Sequence, residues 1–397
     1  MKIMTVHSRY RSSAPSGENR VVDQESVALA GLGHEVVRFE RRSDDIASWP
    51  KAKQAALPAM VVWNAGAHRD LTAALQAQRP DVVHVHNTFP LLSAAILHAC
   101  RAARVPVVAT IHNYKLVCAS GDFFRAAEPC HDCAPGHPLP AVRHGCYRGS
   151  RAATAPVALS SAIHRTAWQS LVAGYIFISK SQRDLLSGFG FPPDRVFIRH
   201  NMIPARDVPP SGRQDTVVYA GRLDAAKGLP VLMRAWDRYQ KEAPDHPGLR
   251  LVIAGSGPLD RDVAGWAAAR PSVQLAGQLD AAACAQVMAA ARAVILPSAW
   301  EETFGLAAVE AMALGVPPVA AAHGSFPELV ADGVSGVLFR AGDPDDLARV
   351  LADIDSYPDR YAEYGKQARK AYEQQFDPAA SMRKLIEIYE YAMANPI

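Results

Sequence analysis

Pro297-Ser-Ala-Trp-Glu-Glu-Thr-Phe-Gly-Leu-Ala-Ala-Val-Glu-Ala-Met-Ala-Leu-Gly-Val-Pro317 continues an apolar run over 293–297 and leads into a second one at 317–321. Short apolar runs bounded by glycine and proline read as buried strands. The Ala, Leu and Met residues between them read as a helix beginning near Gly305. Strand, loop, helix and strand in that order make one βαβ unit, with the loop at the strand's carboxyl end. The first backbone N–H groups of such a helix lack partners and carry partial positive charge, so they can hold a phosphate or sugar hydroxyls. Glu302 precedes the helix, and Glu310 stands about one and a half turns into it. Glu310 lies in an otherwise apolar helix, and a buried carboxylate needs a partner. A ribose diol is one. In the plainer reading Glu302 caps the helix and Glu310 is a solvated face.

The same alternation extends in both directions. Runs at 1–6, 81–86, 106–111 and 175–179 read as buried parallel strands, with helical patterns such as 19–33 between them. Asn201-Met-Ile-Pro-Ala-Arg-Asp-Val-Pro-Pro-Ser-Gly-Arg213 breaks the pattern and reads as a linker. A second series follows at 216–220, 250–254, 272–276, 293–297, 317–321 and 336–339. The expectation is an α/β chain of two Rossmann-like, doubly wound domains facing a ligand cleft. The first spans 1–203, the second 204–378, and a last helix over 379–397 is placed to cross back to the first.

Composition excludes several classes. The 397 residues are 49% hydrophobic and 20% charged with a formal net charge of +3, so nothing calls for nucleic acid. No apolar run approaches the roughly 18 residues that span a bilayer. Met1–Val6 reads as a strand and not a signal peptide, which makes the cytoplasm the expected location. Arg143-His-Gly-Cys-Tyr-Arg148-Gly-Ser-Arg151 and the apolar helix after it, to about Ala173, allow peripheral contact with the inner face of a membrane. A core helix with a basic entry is the plainer reading.

Two more strand ends carry chemistry. Tyr219-Ala-Gly-Arg-Leu-Asp-Ala-Ala-Lys-Gly228 places Arg222 and Lys227 just after a strand. Arginine can grip a pyrophosphate bidentately and lysine adds a point charge. Val252-Ile-Ala-Gly-Ser-Gly-Pro258 is a glycine turn that lets backbone approach a ligand, though an ordinary tight turn has the same look.

Taken together, Gly221-Arg222-Leu-Asp-Ala-Ala-Lys227-Gly228, Gly255-Ser-Gly257 and Glu302-(seven residues)-Glu310 resemble the family 4 retaining glycosyltransferases of the GT-B fold. The resemblance implies that Arg222 and Lys227 neutralise the donor diphosphate and that Glu302 contacts the transferred sugar. Thr303, Phe304, Gly305 and Leu306 would meet sugar and phosphate, and Glu310 the ribose hydroxyls. The base would rest near Gln278 and Leu279, with Gly221 and Gly255 lining the donor site. In the first half the family carries a glycine-rich loop, matched here by Gly17 with Ser16 in place of a first glycine. His112 matches a strand-end histidine that contacts the donor sugar, followed here by Asn113 where Asp is usual. His86, Asn87 and Asn113 are the acceptor-side candidates. The implied reaction is a metal-independent transfer from a nucleotide-sugar, UDP-linked before GDP-linked, to a hydroxyl acceptor. Glu302, His112, Arg222 and Lys227 would be its catalytic residues. A nucleotide-sugar 2-epimerase of the same architecture and a non-catalytic carbohydrate-binding protein are the alternatives.

Cys118, Cys130, Cys133 and Cys146 cluster in an insertion over about 115–150. Four thiolates suit a structural zinc, while free thiols or two disulfides are the other readings. Asp260-Arg-Asp262, Asp343-Pro-Asp345 and Asp353-Ile-Asp355 contain the Asp-x-Asp pair of metal-dependent transferases, but none directly ends an apolar strand. They read instead as helix-end or solvated acids.

Overall fold

The computed structural model describes residues 1–12, 16–204, 212–242 and 248–397. Positions 205–211 of the expected linker fall outside them. The chain divides into two compact units. The first comprises Met1–Phe123, His131–Met202 and Ala379–Ile397, and the second Phe124–Cys130 and Ile203–Pro378.

The first unit holds six parallel strands: β1 (Lys2–Arg9), β2 (Glu35–Arg42), β3 (Val82–Asn87), β4 (Val107–Ile111), β7 (Gly174–Phe177) and β8 (Val196–Ile198). Between β4 and β7 in chain order, a two-stranded antiparallel ribbon of β5 (Phe124–Arg125) and β6 (Glu128–Pro129) falls in the segment Phe124–Cys130 that belongs to the second unit. The sheet order is β2-β1-β3-β4-β7-β8. Strands β3, β4 and β7 are wholly buried, as apolar parallel strands with covered faces must be. The helix Pro378–Ala394 packs Met382, Leu385, Ile388, Tyr389 and Ala392 into a core shared with Ile3, Val82, Val108 and Ile176.

The second unit holds β9 (Thr216–Ala220), β10 (Arg250–Ala254), β11 (Val273–Gly277), β12 (Ala293–Leu296), β13 (Pro318–Ala321) and β14 (Val337–Phe339), again all parallel. Their order is β11-β10-β9-β12-β13-β14. Written in chain order this is 3-2-1-4-5-6, and the direction of winding reverses between β9 and β12. The crevice outside the carboxyl ends of two such strands is where open α/β sheets bind ligands. In the first unit the reversal falls between β1 and β3.

Three expectations need adjustment. Strands β2 and β8 were not anticipated: charges at Glu35, Arg38, Glu40, Arg41 and Arg42 hide the pattern of one, which is an edge strand. The helix expected to run to about Ala173 is two, Arg151–Ile163 and Arg165–Leu171. Val157 and Trp168 are buried while Leu159 and Ile163 are exposed. No described helix is long and apolar enough to cross a membrane.

Candidate active site

In the second unit the site grows from two loops at the winding reversal. After β9 the chain turns back on itself, and the Tyr219 hydroxyl donates to the Arg222 carbonyl over 2.6 Å. Asp224 Oδ1 accepts the Lys227 amide at 2.8 Å, which shapes the turn before the helix Leu229–Glu242. Gly228 has φ +74°, and a Cβ there would lie 1.6 Å from the Pro297 carbonyl oxygen. Only glycine allows the loop after β9 to lie this close to the loop after β12. The amides of Ala299 and Trp300 both bond the Ala226 carbonyl, at 2.8 and 3.1 Å, and stitch the loops together.

That seam places Lys227 Nζ 2.8 and 3.1 Å from the two carboxylate oxygens of Glu302. The ammonium also sits 4.5 Å from the Trp300 ring centroid. Glu302 accepts two further bonds, from Trp300 Nε1 at 3.0 Å and Ser298 Oγ at 3.1 Å. Only 8% of Glu302 is exposed, so its charge depends on these donors. Its backbone is pinned as well. The Ser325 amide bonds the Glu302 carbonyl at 3.0 Å, and Gly324 at φ +59° packs where a Cβ would come within 2.6 Å of the Glu302 nitrogen. Glu302 is therefore not a helix cap. The cap of Leu306–Ala313 is Gly305, at φ +84° with no side-chain bond. Thr303 and Phe304 are buried beneath, and Glu310 is half-buried.

Arg222 is the outward cation: its side chain is 62% exposed, with Nε 3.1 Å from Asp224. The neighbouring glycines hold the backbone close. A Cβ at Gly255 would lie 1.9 Å from the Gly221 carbonyl oxygen, and one at Gly257 2.5 Å from that of Leu223. Ser256 Oγ donates to the Gln278 side chain over 3.0 Å, tying the Gly255–Gly257 turn to the segment before Leu279. The sequence reading did not select Asp224, Ser298 or Trp300. The available signal was Trp300 itself, since a tryptophan beside a carboxylate brings an N–H that seeks an acceptor.

The first unit carries its own cavity, about 90 Å³, at the carboxyl ends of β3 and β4. His86, Asn87, His112 and Asn113 all line it, together with Lys115, which the sequence reading had not selected. His86 Nδ1 and His112 Nε2 are 3.0 Å apart. Burial drives both imidazoles below their ordinary range, His112 to about 3, so both are neutral. Asn113 Nδ2 reaches Glu18 Oε2 at 3.3 Å. Glu18 is half-buried at the start of the helix Gly17–Gly31, and desolvation of its carboxyl pushes it up to about 8. Ser16, standing where the family has glycine, caps that helix: its Oγ accepts the Asn19 amide at 3.4 Å.

The aspartate pairs have structural work. Asp260 Oδ1 accepts the Gly257 amide at 2.6 Å, and it and Asp262 occupy a helix's first turn. Asp343 caps the helix Pro344–Ser356, and Asp345 pairs with Arg238. Asp353 binds Arg360 and the Tyr361 hydroxyl, and Asp355 binds the Tyr239 hydroxyl.

The cysteines depart from two of their readings. None is in a disulfide. Among the described residues the three metal-ligating side chains that gather within 4.8 Å are Glu25, His84 and His86, so the zinc expected of Cys118, Cys130, Cys133 and Cys146 finds no assembled ligand set. Cys118 and Cys133 are buried in the first unit's apolar core instead, with Cys118 Sγ 3.1 Å from Ser120 Oγ. The Glu25 group is no metal site either. Arg199 Nη1 lies 2.6 Å from the Glu25 carboxylate, and the His84 nitrogens face the Tyr389 and Thr110 hydroxyls, each at 2.7 Å.

Comparison with known proteins bears on both units. The model for Glycosyltransferase Family 4 matches residues 15–206, and that for Glycosyl transferases group 1 matches 205–371. The chain belongs to glycosyltransferase family 4. Among family relatives, D-inositol 3-phosphate glycosyltransferase of Corynebacterium kroppenstedtii is 36% identical over 186 residues, 45% of this chain and 40% of that protein. The matched stretch thus spans about two fifths of the relative's length. Glycogen synthase of Mycobacterium tuberculosis is 28% identical over 94% of this chain and 89% of its own. The structure of Anabaena HepE in complex with UDP superposes with a TM-score of 0.68 at 18% identity, covering 98% of this chain and 99% of that one. That likeness establishes the GT-B fold in this family member.

Proposed function

We propose that the protein transfers a sugar from a nucleoside-diphosphate donor to a hydroxyl acceptor, with retention at the anomeric carbon and without a catalytic metal. The observation that carries this reading is the Lys227–Glu302 pair, held by Trp300 and Ser298 at the β9/β12 reversal. A cation there, with exposed Arg222 near it in the chain and the open helix end after Gly305, suits a departing diphosphate. A carboxylate whose position is fixed by three donor groups suits a sugar hydroxyl. In the proposed step the bond from the anomeric carbon to the diphosphate oxygen breaks, and a bond to the acceptor oxygen forms on the same face. The acceptor proton passes to the leaving phosphate oxygen. Lys227 and Arg222 absorb the charge released, Glu302 orients the sugar, and Glu310 takes the ribose diol. The acceptor is assigned to the cavity of the first unit, among His86, Asn87 and Asn113, with His112 of the same cavity assigned to the donor sugar. UDP is the nucleotide proposed first, because Anabaena HepE, which shares the fold, was crystallised with it.

The deciding experiment is a thermal-shift and turnover screen against UDP-, GDP-, ADP- and dTDP-sugars, with product configuration read by NMR. A stabilising donor and a product of unchanged anomeric configuration support the proposal. Sugar-ring epimerisation without acceptor, or an inverted product, overturns it.

A further inference from the structure

A buried polar chain leads from Glu25 to the first unit's cavity. Glu25 is buried, and its carboxylate is held ionised, down at about 2, because the Arg199 guanidinium and His84 outweigh the cost of burial. Glu25 Oε1 stands 3.2 Å from His84 Nδ1 and 3.6 Å from His86 Nε2. His86 presents its other nitrogen to His112 at 3.0 Å, and His112 lines the cavity. Among the described residues no protein group bonds His112 Nδ1, and that atom is not one of the sealed, unpartnered ones.

These distances constrain the protons. A neutral imidazole carries one N–H and one bare nitrogen. An ionised carboxylate near His86 Nε2 favours the proton on that nitrogen and leaves Nδ1 bare. The bond at 3.0 Å then requires His112 to donate from Nε2, which leaves its own Nδ1 bare. The charged and titratable groups around this pair are Glu25, Arg199, His84 and His7, and burial among them keeps both rings neutral.

We infer that Glu25 is a positioning residue: through His86 it fixes His112 in the Nε2–H tautomer, so that His112 offers a bare Nδ1 as acceptor for a sugar hydroxyl entering the cavity. The ligand half rests on the function proposed above, whereas the tautomer half stands on the free protein alone. The hydroxyl belongs either to the donor's sugar or to the acceptor.

The test uses the full chain labelled with 15N-histidine and long-range 1H–15N correlation spectra between pH 6 and 8. The expected result is Nε2–H at both His86 and His112, with no titration of His112. A proton on His112 Nδ1, or protonation of that ring in this range, overturns the relay. In Glu25→Gln the carboxylate is lost, and His112 is expected to become a mixture of tautomers. Should that variant not fold, His86→Phe removes the acceptor of the His112 N–H and is expected to have the same spectral effect. An unchanged His112 spectrum in a folded variant counts against the relay. UDP-glucose and methyl glucoside are then added separately. A shift of His112 Nδ1 with the first alone assigns the hydroxyl to the donor, and with the second alone to the acceptor. No shift under UDP-glucose saturation and high methyl glucoside overturns the ligand half. A molecule with the expected spectrum and no transfer from any donor sinks the transferase reading and spares the relay. In kinetics, His86→Phe should lower kcat/KM about tenfold, the equivalent of one misaligned hydrogen bond.

Discussion

Lys227 Nζ and Glu302 Oε2 lie 2.8 Å apart, 75 positions separated in sequence, and close the winding reversal of the second sheet. Either residue alone leaves a charge partly buried in the loops. Lys227→Ala is therefore expected to lower kcat by about 10²–10³, the loss typical of one preorganised charge-stabilising donor. Steady-state turnover of the donor found by screening measures it, with Lys227→Arg as the charge-retaining control. Undiminished turnover in Lys227→Ala would remove the pair from the mechanism.

Gly228 supports the same seam sterically. Gly228→Ala combines a left-handed φ of +74° with a Cβ 1.6 Å from a carbonyl oxygen. The strain of the backbone angle alone is about 1–2 kcal/mol, and the clash adds to it. A fall of more than about 2 kcal/mol in unfolding free energy is expected by urea denaturation. A variant of wild-type stability would show that the two loops separate freely.

Buried ionisable groups are expected to give stability a maximum near pH 6.5. His7 and His112, lowered by burial to about 4 and 3, and His86, lowered in the same direction, bind fewer protons folded than unfolded. Their contribution is fully present above the unfolded histidine range and is lost as pH falls toward the folded values. Glu18, raised by burial to about 8, acts in the opposite sense: its contribution is present below the unfolded carboxyl range and is lost as pH rises through 8. Between pH 4.5 and 6.5 these histidines, with His98 lowered in the same direction, outweigh one carboxyl, so acid destabilises. Between 6.5 and 8 Glu18 acts alone, and the decline is shallower. Urea midpoints at pH 5, 6.5 and 8 check the shape, and Glu18→Gln should flatten the alkaline side.

Tyr389→Phe removes the hydroxyl 2.7 Å from His84 Nδ1, both groups being buried. A loss of about 0.5–1.5 kcal/mol is expected, the net worth of one hydrogen bond, because Glu25 Oε1 still stands 3.2 Å from His84 Nδ1. Thermal or urea unfolding measures it, and Tyr389→Leu should cost more because it also opens a cavity. Equal stability of all three proteins would mean that the helix Pro378–Ala394 contributes little to the first unit.

The strands were legible where burial on both faces makes them apolar runs: β3, β4, β9, β10 and β12 fall within a residue or so of their expected limits. Strand β2 was not, because an edge strand tolerates the Glu and Arg residues that erase the signal. At the site, motif spacing singled out Lys227 and Glu302 but not that they bind one another. That contact depends on the approach of two loops separated by six intervening helices and strands. Glu25 and Lys115 were also missed: in one dimension each is a single charge on a helix or loop, and only the fold buries it. Cysteine spacing misled for a related reason, since it records proximity along the chain and not the direction in which Cys118 and Cys133 turn into the core.

The helix Pro378–Ala394 completes a core whose other members lie between Ile3 and Met202. During translation the earlier half must therefore wait, with Ile3, Val82, Val108 and Ile176 uncovered, until the entire second unit has been made. Nascent chains normally finish their domains in the order of synthesis; here the lobe begun first is the one finished last. A premature stop anywhere in residues 203–378 would thus damage the lobe already synthesised as well as the one it interrupts.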